Sequence, residues 1–419
     1  MSSFYEKLIE SKNRAFVAVP KVPASENPQL RIAFIGGRGV VSKYSGIETY
    51  YEEVGKQLAK RGHSVTVYCR NHFTPAIAEH NGMRLVRLPT IRSKHLETLV
   101  HTFLSTVHAI PQRYDVVHYH ALGPALFAMI PRLFGTKTAV TVQGLDWQRG
   151  KWGRIAAAVL RLGEKASVCF PSETMVVSRV LQQRYQQVHA AETIYIPNGG
   201  FLRDRREPLT ILDWRLRPRN YVLFLGRFSP GKGCHLLVEA FEQIETDVKL
   251  VMAGASSYCD DYSRQIRQHA SDRIRILDWV SGETLDELLT NAMIFVLPSD
   301  MEGLSLALLD AMGAGLCVLT GDVPENREVV EGAGFTFARG DASDLAERLR
   351  FLIANPAARE AAGRMARKRI ETDYQWPKIA HDIENTYFKI LGRRLDAAPK
   401  KQTGRATAVG QGSAERRAS

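Results

Sequence analysis

From about residue 30 the chain alternates short apolar runs with longer stretches in which apolar residues recur every three or four positions. This is the pattern of strands alternating with helices, and it predicts an α/β protein. Residues 31–35 read as a buried strand. Ile47, Tyr51, Val54 and Leu58 follow at helical spacing until Gly62 offers a helix stop. Further strands are predicted at 64–69, 84–88, 115–119, 138–142 and 193–196. The pattern restarts at 221–225, 249–253, 273–277, 293–297 and 316–320, and residues 341–387 read as helical, broken at Pro356 and Pro377. Near-continuous Val/Ile/Leu strands suit parallel sheets covered on both faces, so two doubly wound domains in tandem are expected, with ligands beyond the carboxyl ends of their strands.

The expected organisation is an N-terminal extension over 1–29, a first Rossmann-like domain over 30–199, a basic linker over 200–219 and a second Rossmann-like domain over 220–372. A C-terminal helix over 373–392, able to cross back to the first domain, precedes a disordered basic tail over 393–419. With 419 residues, 45% apolar and 24% charged, the chain is neither wholly disordered nor collagen-like. Residues 116–131 carry no Asp, Glu, Lys or Arg, but they include His118 and His120, are too short to span a bilayer, and read as core. Residues 1–20 lack the uninterrupted apolar core of a secretory signal, so no export is expected. Five scattered cysteines without a C-x-x-C pair fit a reducing compartment.

The net charge of +12 is unevenly placed. The tail holds seven basic residues against two acidic, and residues 203–219 hold Arg203, Arg205, Arg206, Arg215, Arg217 and Arg219 against Asp204, Glu207 and Asp213. Such patches suit anionic lipid, phosphorylated substrates or nucleic acid, or simply a solvated surface. No RNA-binding or zinc-finger signature accompanies them, and nucleic acid is not an expected partner.

Two strand-to-helix loops in the second half carry candidate chemistry. Residues 226–233 read Gly-Arg-Phe-Ser-Pro-Gly-Lys-Gly, so Arg227 and Lys232 sit where a helix begins and would meet a diphosphate. The same residues match a P-loop except at Gly233, where a magnesium-binding Ser or Thr is required. Residues 298–305 lead into a second helix, placing Glu302 before it, Asp310 along it and the backbone N–H groups of Leu304 and Ser305 between them. The bland alternative is that Glu302 favours a helix start and Asp310 pairs with a nearby base. In the first half, the glycines at 36–39 do not complete a dinucleotide fingerprint, and the second strand ends in Cys69-Arg70 where a ribose-binding acid belongs. His118 and His120 end a strand and should open on the cleft, as should residues 141–147; two histidines without a carboxylate partner make no metal site.

Residues 226–233 resemble the G-R-x-x-x-x-K-G loop, and Glu302 to Asp310 the E-x7-E motif, of glycosyltransferase family 4. The glycine-rich residues 36–39 with 45–50, together with 119–124, 144–147 and 196–199, extend the likeness to the bacterial rhamnosyl- and galactosyltransferases of surface-polysaccharide synthesis. The resemblance implies a GT-B fold and a retaining, metal-independent transferase using a nucleotide sugar, UDP- or dTDP-linked, with no cofactor. It implies that Glu302, Gln143 and Asp146 form the catalytic set. Donor binding would fall to Gly46, Asn198, Arg227, Lys232, Trp279, Val280, Leu304, Ser305 and Asp310. The acceptor, a polyprenyl-linked glycan, would meet the first domain, where His120, Arg149, Lys151, Trp152 and Arg154 form an acceptor or membrane face. The enzyme would sit in the cytoplasm, peripheral to the inner membrane. The chain departs from the family in carrying Asp310 for Glu, Ser45 for Gly and Gln143 for His; glutamine hydrogen-bonds but carries neither a proton nor a positive charge. A catalytically weak relative serving as a binding or scaffold subunit is the alternative reading.

Overall fold

The computed structural model describes residues 28–41, 46–93, 96–148, 152–255 and 260–393. Residues 1–27 of the expected 1–29 extension, most of the tail, Ser45, Arg149 and Lys151 lie outside the described residues.

The first half forms an eight-stranded sheet. Its strands are β1 (Arg31–Ile35), β2 (Ser64–Arg70), β3 (Glu79–His80), β4 (Met83–Leu88), β5 (Val116–His120), β6 (Lys137–Val142), β7 (Glu173–Val176) and β8 (Ile194–Tyr195). Their order is β3-β4-β2-β1-β5-β6-β7-β8, parallel except for the β3–β4 pair. The second half forms a parallel six-stranded sheet from β9 (Tyr221–Leu225), β10 (Lys249–Ala253), β11 (Ile274–Leu277), β12 (Ile294–Leu297), β13 (Cys317–Gly321) and β14 (Phe335–Phe337), ordered β11-β10-β9-β12-β13-β14. Two Rossmann-like domains follow, as the alternation predicts.

The sequence reading passed over β3, β7 and β14. These strands are two to four residues long, too short to show a period, and each gains its identity from the neighbour it pairs with.

Each sheet reverses its winding once. In the first the reversal lies between β1 and β5, in the second between β9 and β12. The loops leaving these four strands therefore diverge and leave a crevice at each sheet's carboxyl edge. All the candidate loops emerge there.

The Trp376–Ile390 helix returns to the first domain and packs on the Gly46–Lys60 helix. It is pinned by Glu384, which takes a 2.7 Å hydrogen bond from His63 and a 3.1 Å contact from Arg61, and by Tyr387, 2.7 Å from His118 Nδ1. His63 Nδ1 accepts from the Leu30 N–H, so the neutral tautomer with its proton on Nε2 serves both contacts.

The 203–219 stretch, expected as a linker, is tied into the second domain. Ile211 and Leu216 are buried in the core, and the N–H groups of Leu209 and Ile211 donate to Glu287. Ile211 and Leu216 supply the apolar anchors between arginines, which a reading dominated by charge overlooked.

Candidate functional site

The cleft between the two sheet edges has a volume of about 1270 Å3. Every expected site residue among the described ones lines it, from Gly46, His120, Gln143, Asp146, Trp152 and Arg154 on one wall to Arg227, Lys232, Trp279, Val280, Glu302, Leu304, Ser305 and Asp310 on the other, with Asn198 between.

Local sequence sets the second wall. After β9 the chain turns at Pro230–Lys232 and enters the Cys234–Glu242 helix through Gly233, which sits at φ 66°. A Cβ at Gly233 would fall 2.1 Å from the Pro298 carbonyl oxygen, so this left-handed, crowded position requires glycine. The P-loop serine or threonine has no room there. The crowding also presses the Arg227–Lys232 loop onto the Pro298–Ser305 loop, and Lys232 forms a close ion pair with Glu302.

The Leu306–Gly313 helix starts after Ser305, whose side chain accepts a 3.5 Å hydrogen bond from Leu308 N. The Gly46–Lys60 helix starts opposite: a Cβ on Gly46 would lie 3.1 Å from Leu306 Cδ1. Two helix N-termini thus meet across the cleft, and their first-turn N–H groups and dipoles favour an anion between them. Gly303 brings the domains closer still, for a Cβ there would meet the Gln143 carbonyl oxygen at 1.8 Å.

Asn198 spans this junction. Its Nδ2 donates to Gln143 Oε1 at 3.0 Å and to the Leu304 carbonyl at 3.3 Å. Gln143 lines the cleft while its Nε2 is buried without a protein partner, so an unspent hydrogen-bond donor lies at the domain junction.

At the far end, Arg203 Nη2 sits 3.1 Å from Asp310 and its Nη1 pairs closely with Asp286. Burial raises the Asp310 carboxyl above its ordinary value, with Arg203 opposing the shift. Asp310 does pair with a nearby base, as the bland alternative held, but the pair lies in the cleft. Arg203 and Asp286 escaped the sequence reading because Arg203 was counted with linker charge; its place four residues after Gly199 was the available signal.

Two expectations need correcting. His118 does not open on the cleft: it is fully buried, with Tyr387 on Nδ1 and Thr141 Oγ1 2.7 Å from Nε2. His120 reaches the cleft lining but its side chain is 1% exposed, packed among Phe34, Tyr50 and Tyr51 rings, and burial pushes it down to about 3. It cannot form part of a membrane face. Both histidines follow the inward alternation of a strand buried on both faces.

Residues 215–369 match the family described as glycosyl transferases group 1, and residues 45–199 match the glycosyl transferase 4-like domain. Alpha-maltose-1-phosphate synthase of Mycobacterium tuberculosis is 30% identical over 187 residues, 41% of this chain and 48% of that protein. Spore coat protein SA of Bacillus subtilis is 28% identical over 188 residues, 42% of this chain and 50% of that protein. The chain spans about half the length of these curated relatives. Glycogen synthase of M. tuberculosis is 27% identical over 305 residues, 69% of this chain and 71% of its own. Among solved structures, sucrose-phosphate synthase from Thermosynechococcus elongatus superposes with a TM-score of 0.76 at 23% identity, covering 87% of this chain and 100% of its own. Anabaena HepE in complex with UDP-glucose gives 0.72 at 17% identity, covering 86% and 100%. With a 4-like domain followed by a group 1 domain on two facing Rossmann-like sheets, the chain belongs to the glycosyltransferases of the GT-B fold.

Proposed function

We propose that the protein transfers a sugar, with retention and without a metal, from a nucleoside-diphosphate sugar to a lipid-linked glycan in bacterial surface-polysaccharide synthesis, as a cytoplasmic enzyme peripheral to the membrane. The observation that carries the donor assignment is the meeting of two helix N-termini beside Arg227 and Lys232. A diphosphate between them gains hydrogen bonds and positive charge on every side. Glu302 and Gln143 then face the sugar, and Asp310 with Arg203 faces the ribose. The similarity to Anabaena HepE, whose structure holds UDP-glucose, supports a nucleotide sugar of that kind.

In the transfer, the bond from the anomeric carbon to the β-phosphate oxygen breaks as the bond to the acceptor oxygen forms on the same face. The acceptor's hydroxyl proton passes to the departing phosphate oxygen. Negative charge grows on the diphosphate, where Arg227, Lys232 and the helix N-termini stabilise it. The likeness to family 4 in the 226–233 and 302–310 motifs supports retention, and this charge set supports a reaction needing no metal. For the membrane, no helix among the described residues is long and apolar enough to cross it. Attachment would fall to the wall carrying Trp152 and Arg154, with Arg149 and Lys151 from the sequence alone.

A panel of UDP- and dTDP-sugars incubated with lipid extract in chelator tests the reading. The expected result is one nucleoside diphosphate released per sugar transferred, with the product anomer matching the donor. Donor binding without product would leave the scaffold reading standing.

A further inference from the structure

The Glu97–Ala109 helix is inside out. Its buried residues are Glu97, His101, Thr102, Ser105, Thr106 and Ala109, while Phe103 and Val107 are each 46% exposed and Leu96, just before it, is 50% exposed. The inward Thr102 and Ser105 hydroxyls lack hydrogen-bond partners. A helix ordinarily turns its apolar stripe to the core. Folding alone gives no reason for the opposite arrangement, which leaves polar groups unsatisfied inside and apolar groups in water.

The apolar stripe runs into the cleft. Leu96 and Leu99 line its first-domain end, facing Ile155, Val159 and Leu160 of the Arg154–Cys169 helix. Gly123 forms the floor: Leu99 Cδ2 and Leu160 Cδ2 lie 3.7 and 3.9 Å from where its Cβ would be. Ile155 stands at the mouth, 83% exposed. The result is an apolar trough between two helices, open to solvent at one end and to the donor site at the other, with Arg154 at its edge.

We infer that this trough holds the hydrocarbon chain of a phosphate-bearing acceptor lipid, with the chain between Leu99 and Leu160, the phosphate toward Arg154 and the sugar in the donor cleft. The assignment rests on the transferase reading above and adds the site of the lipid. Continuity with the donor cleft favours a substrate chain over another occupant, because a glycan in the cleft with its lipid attached must leave through an adjoining apolar exit.

The test uses the full chain and inorganic, hexyl and decyl phosphate, each below its aggregation concentration, in titration calorimetry. Affinity should rise from hexyl to decyl by up to about fourfold for each added methylene that is buried. Ile155→Gln, at an exposed position that folding does not need, should reduce that gain several-fold. Gly123→Leu, which fills the trough, should abolish it. UDP affinity should be unchanged in both. The inference is overturned if both variants keep the wild-type chain-length gain, if alkyl phosphates show none, or if sedimentation shows a dimer that buries Phe103 and Ile155. Binding to neutral phosphatidylcholine vesicles with no chain-length response in solution would assign the face to a bilayer and equally overturn it. Loss of chain-length response with UDP-sugar binding intact sinks the trough alone; failure to bind any nucleotide sugar sinks the donor reading.

Discussion

The two walls of the cleft are built on opposite principles. The second-domain wall is made of charge held in pairs, Lys232 with Glu302 and Arg203 with Asp310 and Asp286. The first-domain wall combines deeply buried histidines and tyrosines with an apolar outer lip. Paired charges are already ordered when a polar ligand arrives, and they need only exchange partners, which suits a nucleotide whose anionic groups are invariant. An apolar lip selects by shape and area and makes few directional demands. The contrast predicts that changes to the charged pairs of the second wall act on chemistry and nucleotide binding, and changes to the buried rings and apolar lip of the first on stability and acceptor use.

The largest effect should come from Arg227 and Lys232, the cations proposed to hold the diphosphate. Arg227→Ala and Lys232→Ala should each lower the transfer rate by about 10²–10³-fold, the scale of removing one preorganised group that stabilises developing charge. Initial rates with the best donor measure this, with circular dichroism checking that the fold survives. Near-wild-type rates in both would move the phosphate site elsewhere and remove the contrast.

The next largest separates the two carboxylates. Asp310→Asn should weaken UDP binding by about tenfold, the worth of one charged hydrogen bond. Glu302→Gln should leave UDP binding equal or tighter, because it releases Lys232 from its ion pair, while depressing transfer. Equal losses of UDP affinity would show that the two acids do not serve opposite ends of the donor.

A smaller effect belongs to the first wall and depends on pH. Burial depresses His120 to about 3 and His118 well below its ordinary 6.5, with each other's proximity adding to the shift on His118. The unfolded chain takes up these protons near 6.5 and the folded chain does not. Their contribution is therefore intact above about pH 6.5 and is lost as pH falls toward 3, at up to about 1.4 kcal/mol per pH unit for each histidine. His120→Gln should flatten urea-unfolding stability across that window by one proton's worth. An unchanged slope would mean that His120 protonates in place.

The smallest concerns the returning helix. The Glu384 carboxyl is lowered despite the opposing and largest influence of burial, because His63, Arg61 and His381 together outweigh it. A depressed carboxylate stabilises the fold above about 4.5 and loses that contribution as pH falls below it. Glu384→Gln should thus cost Tm at neutral pH and converge on wild type in acid. Parallel curves at all pH values would show that the helix is held by packing alone.

Much of this was legible before any fold was known. The alternation of apolar runs predicted two parallel-sheet domains, and the residues after β9 and β12 were picked out as the loops that now line the cleft, because strand, loop and helix follow one another in sequence. At Gly233 the sequence showed only the missing P-loop hydroxyl; the need for glycine comes from its packing against Pro298, far along the chain.

The sequence by itself determined the kind of the longer elements and which loops carry charge. Only the tertiary structure decided what meets what. His118 looked like a residue at a strand end open to ligand; Tyr387, 269 positions later, closes over it. Arg203 looked like solvated charge until Asp286 and Asp310 met it. The Glu97–Ala109 helix has an apolar stripe that periodicity assigns to the core, yet the structure turns it outward. Periodicity records that residues share a face; whether that face is buried depends on segments distant in the chain, whose packing no local pattern encodes.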